Sequence, residues 1–169
     1  MAASVAINDM KNALQGGARS NKYRVYLEKI GDSKTADLLC KSSSFPGKTI
    51  GEIEVWNQGR KLIIPGDTSF TNEWTLSFYN TQDHKLRLNI IEWMRQIDDF
   101  KENKHASDVD SISSEMKVFQ INADGSEGQG YIFYNVFPKD IGEITVEDES
   151  ADAIQEFDVS FSFTNWEII

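Results

Sequence analysis

Apolar side chains fall on every second position through most of this chain, and a period of two predicts β-strands. Tyr23, Val25 and Leu27 alternate with Arg24, Tyr26 and Glu28, the mark of a half-buried strand. Gly31-Asp32 predicts a turn into a second strand carrying Ala36, Leu38 and Cys40. Further strands are expected near residues 51–56, 59–64, 72–79, 115–121, 131–137 and 142–146, with Pro138 ending the one before it. The last is the plainest: Phe157, Val159, Phe161 and Phe163 alternate with Asp158, Ser160, Ser162 and Thr164, so one face is wet.

Two segments change period. Ala6, Met10, Ala13 and Leu14 predict a short helix over residues 4–15, stopped by Gly16-Gly17. Leu86, Ile90, Trp93, Met94 and Ile97 form one apolar stripe, predicting an amphipathic helix that lies on the sheet. Asn80 or Thr81 is its expected cap, with Asp83 in the first turn at the positive end of the helix dipole. Residues 101–114 are polar and aperiodic, and read as a loop. Without a βαβ rhythm or an internal repeat, the pattern predicts a mainly β fold, an antiparallel β-sandwich or open barrel.

The stretch from Phe45 to Tyr79 is unusual in its turns: Phe45-Pro46-Gly47, Asn57-Gln58-Gly59, then Pro65-Gly66-Asp67, before a strand built on Trp74, Leu76 and Phe78. It predicts a long hairpin arm over about residues 43–72, bearing Phe45, Val55, Trp56, Ile63, Ile64 and Phe70. A lone hairpin cannot bury so many large groups, so the arm is expected to dock on a neighbour. The alternative is a surface hairpin packed on its own domain.

Composition narrows the function. At 169 residues the chain has the length of one domain, 1–169, with enough aromatic residues to build a core without staples. A single cysteine, Cys40, leaves no internal disulfide, and it reads as a buried structural thiol. The net charge is −10, and between Ile141 and Asp158 there are seven acids and no lysine or arginine. A nucleic-acid binder displaces counterions with a basic stripe, and this pattern is the reverse. The bland reading of the run is a solvated acidic face. No stretch approaches the ~20 apolar residues of a membrane span, and the N-terminus lacks a basic, then apolar, leader; the expectation is a soluble protein made in the cytoplasm. His84 and His105 lie far apart without ligand spacing, Asp108 and Asp110 lack the rest of a calcium loop, and no glycine-rich loop opens a helix. No catalytic residue, cofactor or metal is expected.

The order of these segments resembles the tail tube proteins of contractile-tailed bacteriophages. The resemblance covers the N-terminal helix, KYRVYLEKI, the approach through Cys40, Phe45 and Pro46, Gly59-Arg60-Lys61, Pro65-Gly66-Asp67, Phe70, Trp74, and the helix ending IIEWM. It continues through Phe137-Pro138, Ile141-Gly142-Glu143-Ile144 and EFDVSFSFTNWE. It implies a structural virion protein whose hexameric rings stack into a tube inside a contractile sheath, with the baseplate and tail terminator as further partners. The tube's negatively lined channel would pass DNA as transient cargo. On that reading Phe45, Pro46, Val55, Trp56, Arg60, Ile63 and Phe70 are candidate inter-subunit contacts. Glu143, Thr145, Glu147, Asp158 and Ser160 are candidate lumen-facing residues, because alternation sets Glu143, Thr145 and Glu147 opposite Ile144 and Val146. Alternatives are the tube of a phage-derived injection device or type VI secretion system, or a minor baseplate tube-initiator or tail-completion protein.

Overall fold

The computed structural model describes residues 2–14, 16–99, 101–102, 104–106, 108–146 and 153–169. Helix α1 (Ala2–Leu14) ends where expected, with the Gly17 amide donating to the Leu14 carbonyl at 2.7 Å. Strand β1 (Tyr23–Leu27) follows, then α2 (Ser33–Leu39), β2 (Cys40–Ser42), and the long strands β3 (Thr49–Asn57) and β4 (Arg60–Ser69). Next come β5 (Glu73–Tyr79), α3 (Lys85–Ile97), a small pair β6 (Asp98–Asp99) and β7 (Lys104–His105), and the single turn α4 (Val109–Ile112). Strands β8 (Ser114–Ile121), β9 (Glu127–Ile141), β10 (Glu156–Ser162) and β11 (Asn165–Ile168) complete the chain.

Seven strands form one antiparallel sheet, ordered β1-β8-β9-β10-β5-β2, with β11 also on β9. Strand β9 organises it: its first part pairs with β8 and β11, its last part with β10. It bends between the two at Asn135, where β9 sets an extra residue against β8 and the backbone turns left-handed (φ 53°). The sheet curls until β1 and β2 nearly meet, and the Tyr23 hydroxyl donates to the Cys40 carbonyl at 2.9 Å. Helix α2 fills the seam: Asp37 accepts the Val25 amide at 2.7 Å and Ser33 Oγ accepts the Leu27 amide at 3.2 Å. The result is a nearly closed barrel.

Its interior is aromatic. Trp74 stacks on Phe133 with ring centroids 4.4 Å apart and meets Phe161 at 6.2 Å, and all three are buried. Helix α3 lays Leu86, Ile90 and Trp93 on this core, as its stripe predicts.

Five local expectations are overturned. Residues 33–39 are a helix, because Asp32 caps it: its carboxylate accepts the Lys34 amide at 3.2 Å and the Thr35 hydroxyl at 2.6 Å. A three-residue alternation cannot outweigh that cap, and Leu38, expected inward, is 74% exposed. Helix α3 starts at Lys85, not near Asn80, because His84 is left-handed (φ 50°) and Thr81–His84 is a turn. Pro65-Gly66-Asp67 is no turn but a bulge inside β4, where Gly51 and Gly66 let the strands touch; a Cβ on Gly66 would lie 3.1 Å from the Gly51 carbonyl. Residues 101–114 hold β7 and α4 rather than only loop. Pro138 lies within β9, opposite Phe161 at the register shift of the β9–β10 pairing, an irregularity where a strand tolerates proline.

Candidate assembly surfaces

The arm is the pair β3–β4. Its tip closes with Gln58 at φ 48° and Gly59 at φ 78°, the two positive angles of a type I′ hairpin turn, whose twist suits antiparallel strands. Cross-strand partners share a face. The register pairs Ile53 with Ile64 and Val55 with Leu62, which sets these four on one side. The other side carries Trp56, Lys61, Glu54 and Ile63. There Lys61 pairs with Glu54 and sits 5.8 Å from the Trp56 ring centroid. One face is therefore aliphatic along its length, with Asn57 and Arg60 beside the tip, and the other is mixed. Every residue of the arm except Gly66 is exposed, and the aliphatic four range from 40% (Ile64) to 61% (Leu62).

The candidate contacts divide by position. Val55, Trp56, Arg60 and Ile63 stand on the free arm, Val55 on the aliphatic face and Arg60 beside the tip. Phe45, Pro46 and Phe70 lie at its two roots, where Phe45 rests on Tyr131 and Phe70 on Phe163 of the same chain. Sequence reasoning did not single out Ile53 and Leu62. Their signal was available in the period of two on either side of the Asn57-Gln58-Gly59 turn, once the register was known.

A second surface is the outer face of β5, β10 and the end of β9. Phe157, Val159 and Phe161 point inward, so Asp158 and Ser160 point out. They meet hydroxyls of β5: Ser77 donates to Asp158, and Thr75 Oγ1 lies 3.0 Å from Ser160 Oγ. Asp140 stands beside Ser160 across the β9 pairing. Lysines from elsewhere in the chain join this face, Lys41 at 2.5 Å from Glu156 and Lys139 at 3.0 Å from Glu73. The Lys139 ammonium holds the Glu73 carboxyl below its usual range, and Glu156 raises Lys41. One acid of the run, Glu156, is thus paired with a lysine remote in sequence, and among the described residues Asp140 and Asp158 have no lysine partner within 4 Å.

Glu143 and Thr145 do not share that surface by strand alternation. Residues 142–146 form no strand: β9 ends at Ile141, the Gly142 amide makes a last bond to the Asp158 carbonyl at 2.7 Å, and Arg87 donates to the Gly142 carbonyl at 2.8 Å. Ile144 packs on the core, but Val146, expected on the same face, is 79% exposed. Glu143 and Thr145 are both exposed, and Glu147 lies outside the described residues.

Among the described residues no titratable cluster suggests chemistry. Cys40 lies half-buried in the seam between β1 and β2, and burial pushes its thiol up to about 11, so it stays protonated and weakly nucleophilic at neutral pH. His84 Nδ1 lies 2.8 Å from the Asn80 amide nitrogen, and His105 lies 3.6 Å from Asp98, both exposed. Among the described residues no three His, Cys, Asp or Glu side chains gather as metal ligands, and no helix is long and apolar enough to cross a membrane.

Comparison with known proteins adds to this geometry. The chain is 22% identical over 179 residues to the tail tube protein gp19 of Enterobacteria phage T4, covering 95% of this chain and 99% of that one. It is 21% identical over 160 residues to the tail tube protein of Serratia phage KSP90, covering 89% and 90%. A subunit in the extended sheath–tube complex of an extracellular contractile injection system shares the fold, at a TM-score of 0.63 and 14% identity over 95% of this chain and 96% of that one. The barrel, the arm and α3 all fall inside residues 12–169, which match the family model described as phage tail tube protein, and the chain belongs to that structural family.

Proposed function

We propose that this protein is the repeating subunit of the inner tube of a contractile phage tail, that it has no catalytic role, and that its arm is what joins copies. Hexameric rings would stack within a sheath, between a baseplate and a terminator, in the virion. The observation that carries this reading is the aliphatic face of Ile53, Val55, Leu62 and Ile64, projected from a domain whose buried core includes none of them. Four exposed aliphatic side chains on a two-stranded ribbon are a liability in a monomer and a contact in a polymer. Head-to-tail stacking is heterologous association continued as a filament. The face of Asp158, Ser160, Thr75 and Ser77 would turn to the channel. Its hydroxyls bond to their own neighbours and its lysines to carboxylates, so little is left to hold the phosphates of passing DNA.

Sedimentation and negative-stain microscopy at rising concentration test the arm. Rings or tubes are expected from the parent protein. A Val55→Ser/Leu62→Ser variant is expected to keep its melting temperature and lose assembly. Assembly unchanged in that variant would reject the arm as the contact. The fold is equally that of injection-device tubes, whose cargo differs. Capsid and terminase genes beside the coding sequence would favour the phage tail, and effector and immunity genes the device. High copy number in particles would separate the main subunit from a minor tube initiator.

A further inference from the structure

We infer that the arm is held in a fixed direction by an aromatic clamp at its root, and that Tyr131 and Trp166 are positioning residues for assembly. This rests on the proposed docking of the arm. Both legs of the arm are gripped by the barrel. On the incoming leg, the core Trp74 indole donates to the Ser44 carbonyl at 2.9 Å, and the next residue, Phe45, meets Tyr131 with ring centroids 5.1 Å apart. On the outgoing leg, Phe70 stacks parallel to Phe163 at 6.1 Å and meets the edge of Trp166 at 6.4 Å. Two residues on, the Asn72 side-chain amide donates to the Phe163 carbonyl at 3.0 Å. Tyr131 and Trp166 touch each other at 5.7 Å, edge to face, so the two grips form one unit.

The arm itself gives no reason for a fixed direction. Both its faces are exposed, and an isolated two-stranded ribbon is marginal on its own. Its aliphatic face can meet a neighbour in every ring only if each copy holds it alike. A swivelling arm would lose that freedom on docking, and this loss would raise the concentration at which tubes form. Tyr131 and Trp166 lie in β9 and β11, off the arm, and act on it through Phe45 and Phe70. Trp166 suits a test because, among the described residues, its buried indole nitrogen has no hydrogen-bond partner, so Trp166→Phe keeps an aromatic ring against Phe70 and Tyr131 and removes no hydrogen bond to these residues.

The test attaches spin labels to Gln58→Cys at the tip and Asp140→Cys on the barrel, in a Cys40→Ser background, and reads the distance distribution beside the assembly threshold. A narrow distribution is expected in the parent, broadened in Trp166→Leu, with the threshold raised by about tenfold or more and both restored by Trp166→Phe. A distribution already broad in the parent, or unchanged in Trp166→Leu, would overturn the clamp. A raised threshold with an unchanged distribution would make Trp166 a contact instead and overturn it too. If Trp166→Leu does not fold, Tyr131→Leu carries the same comparison from the Phe45 leg. The Val55→Ser/Leu62→Ser variant separates the two ideas: an unchanged threshold there rejects arm docking, while the distances still report on the clamp.

Discussion

At the scale of single residues, Cys40 shows how placement overrides chemistry. The chain has one thiol, and the seam between β1 and β2 keeps it neutral by burial. The folded value, about 11, lies above the ordinary 9.0, so the folded state holds this proton more tightly than the unfolded one. Its contribution to stability is therefore complete below the ordinary value and is lost as pH rises from 9.0 towards 11. Burial also pushes the neighbouring Tyr23 phenol up, which acts in the same direction at still higher pH. Denaturant melts between pH 8 and pH 11 are expected to show falling stability, with a shallower fall in Cys40→Ala. Equal slopes in parent and variant would count against the seam as the cause.

At the scale of elements, α2 does the least expected work. A strand such as β1 at the rim of a sheet offers free amides to any passing chain. Here the helix beside it supplies side-chain oxygens, Asp37 to Val25 and Ser33 to Leu27. Asp37→Ala removes the acceptor from a part-buried amide and is expected to cost about 1–3 kcal/mol, the penalty for an unsatisfied donor. Equilibrium unfolding measures the loss, and light scattering should show non-specific aggregation that differs from tubes. Full stability in this variant would mean that water replaces the carboxylate.

At the scale of the whole molecule, the balance of charge on the outer face of β5, β9 and β10 is the quantity to perturb. Asp140 and Asp158 are its acids without lysine partners among the described residues, and Asp158→Lys with Asp140→Lys leaves the inward core residues untouched. In a stacked tube each new cation would repeat with every subunit along the channel. Duplex DNA is expected to be retained by the variant tubes at low salt and released as salt rises, with a log–log slope of about 0.9 per phosphate engaged. Filter binding across a salt series reads this. Tubes that form normally and retain no DNA would put this face outside the channel.

Much of this protein was written in its local pattern. The strand of Phe157, Val159 and Phe161, the α3 stripe and the Gln58-Gly59 turn all rest on neighbours in sequence, because alternation, helical spacing and positive φ are local physics. The arm was legible for the same reason, as a surplus of large apolar groups between turns. Local signals failed where two of them competed, as at Asp32, whose cap prevailed over the alternation of Ala36, Leu38 and Cys40. They failed again where a strand runs through a residue that usually stops one, as at Pro65-Gly66 and Pro138. What the tertiary structure alone decided are relations between distant residues. Lys41 meets Glu156 across 115 positions, and Lys139 meets Glu73 across 66, so the outer face of β5 and β10 is not a purely acidic wall. Register sorted Ile53, Val55, Leu62 and Ile64 onto one face, and curling of the sheet brought Phe45 and Phe70 onto Tyr131 and Trp166. Such contacts depend on which strands pair and how the sheet closes, and the free energy that selects them is spread over the whole core rather than held in any one segment.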